Sequence, residues 1–290
     1  MAGYVATIGT FDGVHRGHQF VLQQTVDEAR RRGLQAMAIT FDRLKPDTLS
    51  PLESKQALLT QTGLDRIVVL PFNEELKQMT ARQFMEQVLK MQLNVQILIT
   101  GYDNRFGHNR LEGFDDYVRY GQEIGMEVKR LPPAPSKKSE SHVSSSIIRE
   151  LLHEGNVSEA NEALGHPYAI SGHVEHGEHI GTSLGFPTAN VAADHKQQLI
   201  PAAGAYAVKV RLEQDTEWKA GMMNIGTRPT FEGQCQTLEV NIFNLNEDLY
   251  GKQLTVAFVE RLRREQRFDS IEALKEQLQQ DAIAAKSILA

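Results

Sequence analysis

The stretch Tyr4-Val-Ala-Thr-Ile-Gly-Thr-Phe-Asp-Gly-Val-His-Arg-Gly-His18 decides the fold of the first half of this 290-residue chain. An apolar run ends in Gly9-Thr10-Phe11-Asp12-Gly13 and passes at once into helical periodicity, which predicts a strand, a tight turn and a helix. The first N–H groups of a helix have no intrahelical partner and the helix dipole adds positive potential, so this lip of a sheet suits a nucleoside triphosphate. His15 and His18 stand one helical turn apart and point to one side. An imidazole there can donate to phosphate oxygens while a pentavalent phosphorus forms, which makes the pair candidates for nucleotidyl transfer. Two surface histidines are the alternative, and the adjoining glycine turn argues against it. Gly17 leaves room for a ligand to approach the backbone. The spacing is not that of a zinc protease.

Outward from this stretch, residues 34–41, 66–71, 95–101 and 126–131 read as further strands. Residues 19–32, 53–62, 81–91 and 112–124 between them carry apolar residues at helical spacing. Such alternation predicts a largely parallel sheet with helices on both faces and ligands at the carboxyl ends of its strands. Two later segments are expected at the same edge. Gly101-Tyr-Asp-Asn-Arg-Phe-Gly107 offers Asp103 as an orienting acceptor and Arg105 as an anion contact. Ser144, Ser145 and Ser146 offer hydroxyls at the start of a short helix that also carries Arg149. Pro132 to Glu140 is hostile to helix and reads as a mobile loop.

A domain boundary is expected near His166-Pro167, beyond which the pattern turns all-β. Residues 169–175, 206–212, 218–225, 237–243 and 253–260 read as strands of a barrel or sandwich. A closing helix begins near Ser270, with Asp269 and Glu272 at capping-box spacing and Ile271, Leu274, Leu278 and Ala282 on one apolar face. The glycine-rich stretch from Gly172 through Gly177 to Gly185 permits tight turns over a phosphate. Phe186 and Pro187 follow, and the proline stiffens the backbone that presents Thr188 and Asn190. One residue apart on an extended segment, that hydroxyl and that side-chain carbonyl face the same way, a platform for Mg²⁺ and phosphate. Neither a P-loop nor a protein-kinase loop has this order of residues. Alternation in Thr237-Leu-Glu-Val-Asn-Ile-Phe243 sends Glu239, Asn241 and Phe243 to one face. Glu239 is then either an exposed strand glutamate or a cleft carboxylate able to take the proton of an attacking hydroxyl.

A net charge of −6 disfavours a general nucleic-acid binder, and no apolar run reaches membrane-spanning length. The single cysteine, Cys235, excludes an intramolecular disulfide and any cysteine-rich zinc site, and points to a reducing compartment, with the cytoplasm as the default. Small-molecule substrates are the expected partners. Nothing in the sequence sets an oligomeric state.

On these motifs the chain resembles the bifunctional bacterial riboflavin kinases and FMN adenylyltransferases, over essentially all of its length. Residues 10–18 carry the histidine-x-glycine-histidine signature of that family, residues 101–107 resemble its second motif, and residues 143–149 resemble the third, which closes over the triphosphate. Residues 185–190, 224–230 and 264–270 also fit, adding Asn224, Arg228 and Arg267 to the implied binding set. The resemblance implies a Rossmann-like parallel-sheet nucleotidyltransferase domain at 1–165, then a β-barrel riboflavin kinase domain with a C-terminal helix at 166–290. It implies Mg-ATP on the Gly-Phe-Pro-Thr-Ala-Asn motif and Glu239 as general base toward the ribityl 5′-hydroxyl, giving FMN and ADP from riboflavin and ATP. FMN and ATP then give FAD and pyrophosphate in the first domain. The FMN phosphate is already anionic and needs no carboxylate base there, which leaves His15, His18 and Arg149 as the catalytic groups. Phe41-Asp-Arg-Leu-Lys-Pro46 departs from the family's Phe-acid-Pro-His-Pro, and Asn104 stands where an aromatic is common. That departure carries the alternative of a kinase whose first domain is inactive or takes another acceptor.

Overall fold

In the computed structural model β1 (Tyr4–Ile8), β2 (Gln35–Phe41), β3 (Arg66–Leu70), β4 (Val95–Thr100) and β5 (Glu127–Arg130) form a parallel sheet of order β3-β2-β1-β4-β5. The structure describes residues 3–43, 45–133, 143–176, 185–230 and 233–290, with the backbone alone at 228–230 and 233–235. Helices cover both faces, so the central strands are apolar on both. Ala6, Ile8, Met37, Ile39 and Leu98 pack with Phe84, Met85 and Tyr117, whereas Val5, Ala36, Ile97 and Ile99 pack with Val26 and Ala29. Strand order reverses between β1 and β4, where such sheets receive ligands.

Helix α1 (Arg16–Arg32) buries Leu22, Val26 and Ala29 at helical spacing and stops at Gly33, whose φ of 66° suits a left-handed cap. Then come α2 (Leu52–Thr60), α3 (Glu74–Gln78), α4 (Ala81–Gln83) and α5 (Phe114–Ile124). The helix predicted at 81–91 is α-helical only in α4 and π-helical over Phe84–Gln92. Its wider winding, with Leu93 N–H donating to Val88 O, keeps Phe84, Met85, Val88 and Leu89 all buried.

The chain divides into two compact units, Met1–Ser145 and Ser146–Ala290. Helix α6 (Ser145–Glu154) spans the division and α7 (Val157–Leu164) follows. Asn161 of α7 reaches Phe258 O and Tyr168 N–H, so this helix packs with the second unit. There β6 (Ala169–Glu175), β7 (Ala189–Ala193), β8 (Gly204–Leu212), β9 (Lys219–Thr230), β10 (Gly233–Ile242) and β11 (Gln253–Arg264) close an antiparallel barrel of order β10-β7-β6-β11-β8-β9. Strand β7 was expected only as an extended platform.

Helix α8 (Ile271–Leu289) lies on the outside of the barrel, with Ala282, Ala285, Leu278 and Leu289 against Ala207, Met222 and Phe243. Its cap is Ser270 rather than Asp269. The serine has extended backbone immediately before the first turn and its hydroxyl accepts from Ala273 N–H at 3.1 Å. Ile271, expected on the apolar face, is 67% exposed because it extends past the packed stripe. The loop expected at 132–140 lies outside the described residues from 134 on, as do Gly177, residues 181–184 and the side chains of Arg228 and Cys235.

Candidate active sites

In the first unit the β1–α1 turn is strained. Phe11 and Val14 have φ of 47° and 40°, a region costly for side chains other than glycine. Both are buried, in one cluster with Leu22, Ala38 and Leu59, and that burial holds the turn. Phe11, expected among the binding residues, has its ring in this cluster and edge-on to His18. Gly9 leaves its ring room, since a Cβ there would meet it at 3.2 Å. Gly13 N–H donates to Ser50 Oγ at 2.8 Å. Asp12 Oδ1 accepts from Leu49 N–H at 2.8 Å, Ser50 N–H at 3.1 Å and the Thr48 hydroxyl at 3.2 Å, so Asp12 organises the loop after β2.

His15 is the N-cap of α1, its Nδ1 accepting from His18 N–H at 3.4 Å, and the two rings stack at 3.6 Å. A Cβ on Gly17 would come within 3.1 Å of the His15 ring, so the glycine is what admits the stack. Burial brings His15 down to about 4, against the opposing pull of Asp103. Burial first, then His15 and Lys55, hold His18 well below the usual imidazole value. Both rings are neutral at pH 7, and because His15 Nδ1 is an acceptor, its proton sits on Nε2. His18 Nδ1 is buried without a hydrogen-bond partner.

The second and third motifs reach this turn. Asn104 Nδ2 donates to Ile8 O at 2.5 Å, which fastens residues 101–107 to the end of β1, and the Ser145 hydroxyl donates to Asp12 O at 3.0 Å. Asp103 and Arg105 are exposed on that loop, while Ser144 precedes α6. Ser146 and Arg149 lie on α6, within the second unit. Thr10 O accepts from the Thr40 hydroxyl at 3.2 Å and from Lys55 Nζ at 3.3 Å. No motif pointed to Lys55.

In the second unit strand register makes the site. Glu239 pairs directly with Asn190 on β7 and with Asn224 on β9, Asn224 pairs with Ala205 on β8, and Ala205 with Arg263 on β11. Directly opposed residues share a face, so Asn190, Glu239, Asn224, Ala205 and Arg263 make one row, about 4.8 Å per strand. Glu239 thus shares a face with Asn190, Asn224 and Arg263. Helix α8 packs on β8, β9 and β11, and its Leu274, Leu278 and Asp281 help to line a cavity of about 270 Å³ that reaches Glu239, Asn224, Ala205 and Arg263 of the row but not Asn190. Its lining mixes polar groups, among them Thr188, Asn224, Glu239 and Asn241, with apolar ones, among them Phe186, Met222, Phe268, Leu274 and Leu278. The small Ala205 leaves the middle open.

Asn241, which sequence reasoning placed on this face without a task, donates from Nδ2 to Pro187 O at 2.6 Å and so fixes the segment bearing Thr188. Arg263 meets Asp281 of α8 through Nε at 3.0 Å and an Nη at 2.9 Å, and Gln277 donates to the same carboxylate. Gly185 has φ of 85° and makes the expected turn before Phe186. Gly172 does not turn. It lies inside β6, where a side chain would collide with Ala192 O of β7. Arg267 is exposed and is not among the residues lining the cavity.

A parallel sheet with a neutral histidine pair at its switch point, followed by a barrel with a carboxylate in a polar row, defines a two-site nucleotide-dependent transferase. The FAD synthetase family matches residues 1–147 and the riboflavin kinase family residues 164–289. Bifunctional riboflavin kinase/FMN adenylyltransferase of Escherichia coli K12 is 37% identical, covering 98% of this chain and 92% of its own length. The proteins so named from Pseudomonas fluorescens and Bacillus subtilis are 36% and 34% identical, over 99% and 96% of this chain. A solved structure titled macrolide-efflux protein from Streptococcus pneumoniae superposes with a TM-score of 0.89 at 30% identity, covering 99% of this chain and 95% of its own. The chain belongs to the bifunctional riboflavin kinase/FMN adenylyltransferase family. Among the described residues no helix is long and apolar enough to cross a membrane.

Proposed function

We propose that the second unit transfers the γ-phosphoryl group of ATP to riboflavin and that the first joins the adenylyl group of ATP to the resulting FMN. The observation that carries this reading is the register placing Glu239 between Asn190 and Asn224 in a cavity shared with Thr188. The lining supplies apolar side chains that suit a planar flavin ring and polar ones that suit a polyol tail. Glu239 accepts the proton of the ribityl 5′-hydroxyl as its oxygen bonds to the γ-phosphorus and ADP leaves.

Thr188 and Asn190 are the residues that would hold Mg²⁺. Their two neutral oxygens fit a cation that arrives with nucleotide phosphates and keeps water, and among the described residues no cluster of three or more His, Cys, Asp or Glu side chains competes for it. When bound, the ion supplies charge neutralisation for the phosphates.

In the first unit a phosphate oxygen of FMN attacks the α-phosphorus and pyrophosphate departs. His15 donates from Nε2 and His18 from its own single N–H to the phosphates; the resemblance of residues 143–149 to the family's third motif is what assigns Arg149 to the same reaction. Gly9, Thr10, Gly13, Gly17, Asp103, Arg105, Ser144, Ser145 and Ser146 frame the nucleotide, and Asn224, Gly185 and Phe186 frame the second site. The functional domains in this reading are 1–165 and 166–290, supported by the riboflavin kinase match that begins at 164. A cytoplasmic location accords with one cysteine in 290 residues. Incubation with riboflavin, ATP and Mg²⁺ tests the reading, with FMN expected first and FAD after it; riboflavin left unconsumed refutes it.

A further inference from the structure

Lys55 of α2 is 5% exposed, yet its ammonium meets no carboxylate within ion-pair distance among the described residues. Lysine is almost never buried this deeply unless its charge is used. Here Nζ donates to two main-chain carbonyls, Thr10 O at 3.3 Å and Phe41 O at 3.0 Å. The first belongs to the strained turn that carries the histidines, the second to the last residue of β2. Two of the three ammonium hydrogens are accounted for by these bonds. Asp12 and Asp42 face the group from the two loops at longer range, and its field reaches His18.

Resting on the adenylyl-transfer reading above, we propose that Lys55 is a positioning residue of that site, a buried cation that bolts the β1–α1 turn to the end of β2 and sets positive potential beside the histidine pair. The burial that holds Phe11 and Val14 at positive φ acts on their side chains, and the backbone beside them has its own anchor, Thr10 O accepting from both the Thr40 hydroxyl and Lys55. The nucleotide brings several negative charges to this edge of the sheet, and a cation already desolvated beneath it attracts them without reorganising. Methionine at this position would fill the space with neither donor nor charge. Glutamine would keep a donor and lose the charge.

Lys55→Met and Lys55→Gln are compared with the parent chain by FAD formation from FMN and ATP, by riboflavin phosphorylation, and by far-UV circular dichroism during urea unfolding. Both variants are expected to lose at least 30-fold in FAD formation, chiefly in kcat, with FMN formation within twofold of the parent. Lys55→Arg, which keeps charge and donors, is expected to recover part of the loss. FAD formation within threefold of the parent in Lys55→Met overturns the proposal. So does loss accompanied by unfolding in every variant, because Lys55 is then a fold element only. Absence of FAD formation by the parent chain is a different failure and sinks the reaction assigned to the unit.

Discussion

Glu239 stands directly opposite Asn190 across the β10–β7 pairing, so the acid of one strand and the amide of the next stand side by side on one face of the barrel. Glu239→Gln keeps size and one acceptor oxygen but removes the carboxylate proposed to accept the proton. FMN formation from riboflavin should fall about 10²- to 10⁴-fold, with FAD formation from supplied FMN unchanged. Product chromatography with each substrate decides it, and FMN output near that of the parent removes Glu239 as base.

Asn241 acts one step removed from the reacting atoms, through Pro187 O. Asn241→Ala removes that donor from an exposed carbonyl that water can reach and frees the Thr188 segment, at a cost of about 0.5–1.5 kcal/mol in stability. Steady-state kinetics should show KM for ATP in riboflavin phosphorylation rising about tenfold. A change in kcat alone would argue against a positioning role.

The ion pair of Arg263 with Asp281 pins α8 over the cavity, the two side chains being 16% and 5% exposed. Asp281→Ala strands a mostly desolvated guanidinium and should cost about 3–5 kcal/mol. Trp218 is the only tryptophan and lies in the second unit, so its fluorescence during urea unfolding reports this loss. A shift below 1 kcal/mol contradicts the assignment.

His15 gives the first unit a pH dependence. Its folded pKa of about 4 lies below the unfolded value of 6.5, so between these the unfolded chain binds more protons and stability falls as pH falls. The contribution is full above pH 6.5 and about 3 kcal/mol smaller at pH 4. Urea unfolding of parent and His15→Gln chains from pH 7 to pH 4 should show the variant gaining relative to the parent as acid is added. A constant gap would contradict the buried neutral ring.

The β1–α1 turn and the Glu239 strand were legible because each rests on local pattern, a glycine-broken apolar run in one case and two-residue alternation in the other. Lys55 was not, because a lysine in a nine-residue helix reads as solvated charge until α2 docks beneath the ends of β1 and β2. Arg263 and Asp281 escaped for a similar reason, since their partnership depends on how α8 crosses the barrel. Asn190 was read as a platform residue, but its opposition to Glu239 follows only from barrel closure, which no sequence period encodes. That the Phe11 ring packs inward with Val14, Leu22, Ala38 and Leu59 was not legible either, because a motif aromatic beside a phosphate turn carries no mark of which way it faces.

That inward ring has a wider effect. The shape of the histidine-bearing turn rests on a wedge of hydrocarbon, Phe11 and Val14 packed with Leu22, Ala38 and Leu59. Trimming Leu59 would loosen the wedge, let the loop spring back, and register as a catalytic lesion whose origin is oil rather than phosphate.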